Sequence, residues 1–247
     1  MRALLCVDVG NTRLKWAVMQ SSIVLGQGFS PARPPSLAIP VQLLRMVEEA
    51  VVSCVGEAKM ASALELSLTA RGIHNVRFLV SEAFSGRITN GYAEPVRLGV
   101  DRWLAMVAAE REFGLPIVVV DAGTALTVDA VDSMGMHLGG YIVPGLRTML
   151  CALGSATAQI SIEALQALKP GAAVSNTAEA VCGGVVEAAR GLVDRAVRQL
   201  VVRDGSHPQV VLTGGDRRLL LEPGSRWHVR PDLVLRGVHL VATGNTV

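Results

Sequence analysis

The chain has 247 residues, half of them hydrophobic and 18% charged, with a formal net charge of +2. That length supports a substantial core, and the apolar content is too high for a disordered chain. A near-neutral balance without a basic stripe argues against nucleic acid as a partner, and no apolar run reaches membrane-spanning length, which argues against a membrane.

Aromatic residues make up only 4%, so alanine, valine and leucine must fill the interior. Cys6, Cys54, Cys151 and Cys182 lie far apart, with no CxxC pair and no Cys/His cluster. That pattern argues against structural zinc and points to buried thiols in a reducing compartment. Residues 1 to 7 are too short for a signal-peptide core, so the expected location is the cytoplasm.

In chain order, "ALLCV" (residues 3–7) predicts a buried strand ending at Asp8. After the turn "GNT", "RLKWAVM" alternates Leu14, Trp16 and Val18 with other residues, the period of a half-buried strand. "SPARPPSLAIP" is a proline-rich surface loop, residues 41–50 read as helix, "VVSCV" as strand, 57–71 as helix and "VRFLV" as strand. The stretch "GRITNGYAEPVRLGV" reads as a loop, and "DRWLAMVAAEREFG" as a helix closed by Gly114, with Trp103, Leu104, Val107 and Ala108 at helical spacing.

The opening pattern then recurs. "LPIVVVDAGTALTVDAV" is again an apolar strand, an acid, a glycine turn and an alternating strand, with Asp121 lying 113 residues after Asp8. "HLGGYIVPG" adds a third strand and a tight turn. A long helix interrupted at Gly183 and Gly184 follows, then the strand "PQVVLTGGD" and a last helix in "DLVLRGVHLVAT". Two acid–glycine hairpins at nearly half-chain spacing predict an internally duplicated α/β protein with halves at 1–113 and 114–247.

No GxxxxGK[ST] loop and no GxGxxG fingerprint is present. The backbone of a glycine turn, helped by Asn11, Thr12 and Lys15, can instead cradle phosphate oxygens. A carboxylate beside phosphates repels them, so Asp8 and Asp121 make chemical sense with a cation between, and Mg²⁺ accepts carboxylate and phosphate oxygens together. The plainer alternative is that both acids serve ordinary hairpin turns, which favour Asp and Gly. Two copies, with a third glycine turn at "TGGD" (Thr213 to Asp216) suited to a nucleotide's close approach, favour the phosphate reading.

The order of these blocks resembles the actin, hexokinase and heat-shock-70 ATPase superfamily, and more closely the type III pantothenate kinases. "DVGNT" and "DAGTALT" match that family's first two phosphate motifs. "NGYAEPVRLGVDR" matches N-x-Y-x-x-P-x-x-L-G-x-D-R, "GGYIVPG" matches G-G-x-I-x-P-G, and "TGGD" the nucleotide-side motif. One departure is Val100, where the family often carries alanine, an apolar-for-apolar exchange.

The resemblance implies a duplicated ribonuclease-H-like, actin-like ATPase fold, with two mixed-sheet domains and a cleft between them. It implies ATP-dependent phosphorylation of pantothenate, the first step toward coenzyme A, by a homodimer using Mg²⁺ and a monovalent cation, K⁺ or NH₄⁺. The phosphate contacts fall on Asp8, Val9, Gly10, Asn11, Thr12, Arg13, Leu14 and Lys15, and on Gly123, Thr124, Gly214 and Gly215. Asp8 holds Mg²⁺ directly or through water, and Asp121 holds the monovalent cation. Tyr92, Gly99, Val100, Asp101, Arg102 and Thr177 line the pantothenate pocket.

Asp101 stands in the first turn of a helix, where it is either a cap and dipole partner or, as the resemblance implies, the general base. Arg102 is either a substrate ligand or a surface residue, and Thr177 either a substrate contact or a helix N-cap. The five histidines are isolated and read as structural or surface residues. The alternatives in function are another small-molecule kinase, or a nucleotide-binding regulatory or accessory protein on the same fold. Loss of Asp8, Asp101 or Asp121 would mark the latter, and all three are present.

Overall fold

Strand β1 (Ala3–Val9) turns through residues 10–12 into β2 (Arg13–Gln20), and β3 (Ile23–Pro31) continues the antiparallel meander. A computed structural model describes residues 3–21, 23–32, 37–56, 58–156 and 176–244. The alternation of β2 works as the sequence suggests: Leu14, Trp16 and Val18 join Leu5, Val7 and Val9 on one face. β3 takes a stretch for which the residue pattern gave no element. Its burial is patchy, with Ile23 and Phe29 exposed, as suits an edge strand whose hydrogen bonds rather than its apolar pattern hold it.

Helix α1 spans only Val41–Leu44, and β4 (Val47–Cys54) begins three residues later, so the expected helix over 41–50 is corrected to one turn and a strand. Pairing overrides local helical spacing here: β4 lies parallel between β1 and β5 (Val76–Phe78), with Ala50, Val51 and Val52 fully buried. Helix α2 (Ala58–Thr69) covers the core face through Met60, Leu64 and Leu68. The sheet order is β3-β2-β1-β4-β5.

Between them and the next helix lie a two-residue-per-strand hairpin, β6 (Phe84–Ser85) with β7 (Ile88–Thr89), and a 3₁₀ turn at Pro95–Arg97. Helix α3 (Val100–Phe113) is buried along nearly all of Val100–Glu110, more than a one-sided stripe requires, and ends at Gly114 with φ +74°.

The second unit repeats the plan. β8 (Ile117–Ala122), β9 (Ala125–Val131) and β10 (His137–Pro144) form an antiparallel meander, then α4 (Leu146–Ala156), α5 (Thr177–Asp204), β11 (Gln209–Thr213), α6 (Arg217–Leu220) and β12 (His228–Val229) follow. Its order is β10-β9-β8-β11-β12, with β11 parallel to β8 and β12 parallel to β11, so each sheet has the same arrangement of strand senses. Helix α5 runs through Gly183 and Gly184 without a break. Its apolar face (Cys182, Val185, Val186, Ala189, Val193) packs on Val118, Val120, Leu126 and Val128, and that burial outweighs the low helix propensity of glycine. Helix α4, for which the residue pattern gives no signal, follows directly on the Pro-Gly turn.

Helix α7 (Leu233–Thr243) belongs to the first unit. The chain divides into residues 1–111 with 232–247, and residues 112–231. The expected halves are corrected accordingly, because the last helix packs on β1, β2 and β4 of the first unit. Gly237 permits this: a Cβ there would overlap the Leu104 carbonyl of α3.

Candidate active site

In the first unit Asp8 is the penultimate residue of β1 and is only 8% exposed. It pairs in register with Lys15 of β2 and Ser53 of β4, and the fully buried Ser53 hydroxyl donates to Asp8 Oδ1 at 3.4 Å. Neighbours in register project to the same side of a sheet, so acid, lysine and hydroxyl share one face. Gly10 does not offer its own N–H outward: that amide donates to the Arg13 carbonyl at 3.0 Å and closes the turn. Asn11, Thr12 and Arg13 are exposed, and the Arg13 guanidinium lies 5.2 Å from the Phe29 ring centroid. Val9 and Leu14 point into the core, so only their main chain is open to a ligand. On the Asp8 face, the Cys6 thiol is pushed up to about 12, by burial first and Glu49 second, which keeps it a thiol and no nucleophile.

The residues ahead of α3 form a second cluster in this unit. Asn90 is buried and organises the loop: Nδ2 donates to the Glu82 and Pro95 carbonyls at 3.0 and 3.2 Å, and Oδ1 accepts from the Tyr92 amide at 3.0 Å. The Ser81 hydroxyl donates to the Leu98 carbonyl at 2.8 Å. Tyr92 is thereby delivered to Arg102, whose Nη1 donates to the Tyr92 hydroxyl at 3.0 Å. Arg102 is 6% exposed, which removes the surface reading of that side chain. Asp101 Oδ1 accepts from the Arg102 amide at 2.8 Å. Gly99 leaves room for that carboxylate, since a Cβ at 99 would stand 2.8 Å from Asp101 Oδ1. Val100 is buried and supplies packing. Tyr92, Gly99, Asp101 and Arg102 are therefore gathered in one place.

The second unit gathers Asp121, Gly123, Thr124 and Gly214. Asp121 stands in register with Thr127 on one side and Thr213 on the other. Its hairpin is one residue shorter than the first, and Gly123 closes it by donating to the Ala125 carbonyl at 3.0 Å. Gly214, at φ +92°, lets β11 turn against β8: a Cβ there would lie 2.5 Å from Asp121 Oδ1 and overlap Ala122. The Asp216 amide donates to the Ala122 carbonyl at 2.9 Å, and the Asp216 carboxylate meets Arg147 Nε at 2.7 Å. At the start of α4, the Gly145 amide and the Thr148 hydroxyl both donate to the Thr124 carbonyl, at 2.9 and 2.8 Å. Gly215 is exposed beside this turn. Among the described residues no three His, Cys, Asp or Glu side chains form a metal-binding group, so a hard cation at either acid would combine one carboxylate with hydroxyl, carbonyl, water or phosphate oxygens.

Thr177 is the first residue of α5 and is exposed. Asn176 fills the N-cap, accepting from the Glu179 amide at 3.0 Å, so Thr177 is not the cap. Residue reasoning gave no role to Asn90, Ser53, Thr213 or Gly145. Asn90, Gly145 and Thr213 stand inside the quoted motifs, whereas Ser53 becomes visible only through strand register, which also sets Thr213 beside Asp121. None of the described helices is long and apolar enough to cross a membrane.

A model of the type III pantothenate kinases matches residues 4–199. A type III pantothenate kinase from Thiobacillus denitrificans is 38% identical over 242 residues, covering 96% of this chain and 95% of the relative. Among solved structures, a Campylobacter jejuni chain described as a Baf family transcriptional activator superposes with a TM-score of 0.61 at 20% identity, over 98% of both chains. A ROK family glucokinase from Streptomyces griseus, in complex with glucose and AMPPNP, superposes with a TM-score of 0.53 at 12% identity, over 98% of this chain and 99% of that one. At those identities the superpositions speak for the fold, the duplicated actin-like arrangement, and the sequence relatives for the activity. The chain belongs to the type III pantothenate kinase family and is an enzyme of that class.

Proposed function

We propose that this kinase moves the γ-phosphoryl group of ATP to the primary hydroxyl of pantothenate, giving 4'-phosphopantothenate for coenzyme A synthesis, with Asp101 as the general base. The observation that carries the reading is the fixed carboxylate of Asp101, held by the Arg102 amide over Gly99 and beside the Arg102–Tyr92 pair. Phosphoryl transfer needs positioning, charge neutralisation and a group to take the hydroxyl proton. Asp101 takes that proton as the oxygen attacks in line. Arg102 and Tyr92 hold the polar end of pantothenate, whose carboxylate suits a guanidinium and a phenol. Gly99 and Val100 shape the pocket wall.

On the nucleotide side, Asn11 and Thr12 give backbone N–H groups, and Lys15 positive charge, to the phosphates. Arg13 adds positive charge on the solvent side of that turn; in the second unit, Gly123, Thr124, Gly214 and Gly215 offer main chain for nucleotide contact, as the family's motifs imply. The residues present fit both implied cations: Asp8 has a hydroxyl at its carboxylate, and Asp121 sits among threonines in a cradle that a Cβ on Gly214 would fill. When bound, Mg²⁺ at Asp8 and K⁺ or NH₄⁺ at Asp121 neutralise phosphate charge. The working form is a cytoplasmic homodimer, as in the family it resembles.

The test is ATP-dependent phosphorylation of pantothenate with Mg²⁺, in K⁺ or NH₄⁺ against Na⁺ at equal ionic strength. Turnover requiring the larger ion is expected. Full activity in Na⁺ alone removes the cation role of Asp121, and an absence of product in any salt removes the proposal.

A further inference from the structure

The Thr213 side chain is 1% exposed, and its Oγ1 is fully buried without a hydrogen-bond partner. A buried hydroxyl left this way is costly and stands out in a native fold. Its place makes the cost intelligible. Thr213 is the register partner of Asp121 across the parallel β8–β11 pair, so both side chains leave the sheet on the same face. Val211 and Val119 precede them on that face, while Leu212 and Val120 point the other way into the core. Asp121 Oδ1 reaches toward β11, because an added Cβ on Gly214, the very next residue, would lie 2.5 Å from it. Thr127, the register partner from β9, is a second hydroxyl-bearing neighbour.

The first unit holds the corresponding position. There Ser53 is the parallel-strand partner of Asp8, is fully buried, and donates to the acid at 3.4 Å. The same position in both sheets thus carries a hydroxyl beside the hairpin acid, yet only the serine is paired to a protein group.

We infer that Thr213 Oγ1 is an oxygen ligand of the monovalent cation at Asp121. Hydroxyl lone pairs suit a weakly polarising ion of potassium size, which replaces its hydration shell with several protein oxygens. The inference rests on the reading of Asp121 as the cation carboxylate, and it gives the threonine that opens "TGGD" a cation role distinct from the nucleotide contact of the glycines after it.

Thermal unfolding tests it without relying on turnover. Potassium chloride is titrated against lithium chloride at constant ionic strength, for the wild type, Thr213→Val, Thr213→Ser and Asp121→Asn. The wild type is expected to show a potassium-specific rise in Tm. Thr213→Val keeps the shape and drops the orphan oxygen, so its Tm in lithium equals or exceeds that of the wild type. Its potassium increment disappears or its half-saturating concentration rises at least about tenfold, the size of one lost charge–hydroxyl interaction. Thr213→Ser keeps the oxygen and the increment. A merely structural hydroxyl would instead lower the lithium Tm in Thr213→Val and leave the increment intact. An increment abolished in Asp121→Asn but intact in Thr213→Val overturns the inference and leaves Asp121 standing. No potassium-specific increment in the wild type overturns both. Thr213→Ala serves as the second oxygen-free variant if Thr213→Val does not fold.

Discussion

Arg102 donates through Nη1 to the Tyr92 hydroxyl at 3.0 Å while its own amide donates to Asp101 at 2.8 Å. One buried residue therefore ties the ring, the guanidinium and the acid into one rigid unit. Arg102→Ala removes a charged partner worth about 1.5–3 kcal/mol, so KM for pantothenate is expected to rise roughly 10- to 100-fold in steady-state assays, with KM for ATP nearly unchanged. Arg102→Lys keeps the charge but not the planar fork, and less than full recovery is expected. An unchanged KM for pantothenate in Arg102→Ala would remove its substrate role.

Tyr92→Phe deletes only the hydroxyl that accepts from Arg102, at a neutral-acceptor cost of about 1 kcal/mol. A KM increase near fivefold is expected, well below that of Arg102→Ala. The two substitutions share one contact, so the double variant is expected to fall short of the product of the single effects.

Gly99→Ala and Gly145→Ala separate two uses of glycine. At 99 the added methyl meets Asp101 Oδ1 at 2.8 Å, the movable end of a side chain. Displacing that carboxylate is expected to lower kcat by about 10- to 100-fold with little change in Tm. At 145 the methyl overlaps the Gly123 and Thr124 carbonyls, which are backbone. There a loss of roughly 1–3 kcal/mol in denaturant unfolding is expected. Equal stability losses at both positions would contradict this division.

The cysteines should sort by burial. Cys151 is exposed, Cys54 half-buried, and Cys6 and Cys182 buried with thiols held above the ordinary range by desolvation. Alkylation of the native protein followed by peptide mapping is expected to label Cys151 first and Cys54 more slowly. Cys6 and Cys182 should react only after denaturation, and rapid native labelling of Cys6 would contradict its place in β1. Burial was expected for all four from their apolar surroundings. Cys151 departs because α4 turns it outward.

His239 in α7 is buried, and desolvation lowers its pKa below the usual 6.5. The unfolded chain then binds the extra proton first, so stability rises with pH across the interval between the two values. Full stability is expected above about pH 6.5, with a progressive loss as pH falls from there toward the folded-state value. His239→Gln should flatten that part of the Tm–pH curve, and an identical slope in the variant would contradict the assignment.

The hairpins, the helix after "LGVDR" and the strand into "TGGD" were legible because each couples an apolar period to a glycine or an acid at its end. What escaped was set by pairing. β3 has no clean alternation, and 47–50 spells a helix until β1 and β5 claim it. The return of α7 to the first unit depends on Gly237 against Leu104, a contact across more than a hundred residues. Among the candidate residues, the quoted motifs single out Asp8, Tyr92 and Asp101 in the first unit and Asp121 in the second. Ser53 sits in an ordinary strand ending and Thr213 opens the quoted "TGGD", and only the register of parallel strands places either beside an acid.

The most direct measurement is the rate of 4'-phosphopantothenate formation by mass spectrometry, with ATP and pantothenate saturating, for the wild type and Asp101→Asn, beside ATP affinity by calorimetry. The wild type is expected to form product, and Asp101→Asn to bind ATP as the wild type does while forming product at least about 100-fold more slowly. Product at the wild-type rate from Asp101→Asn would contradict the assignment of the base.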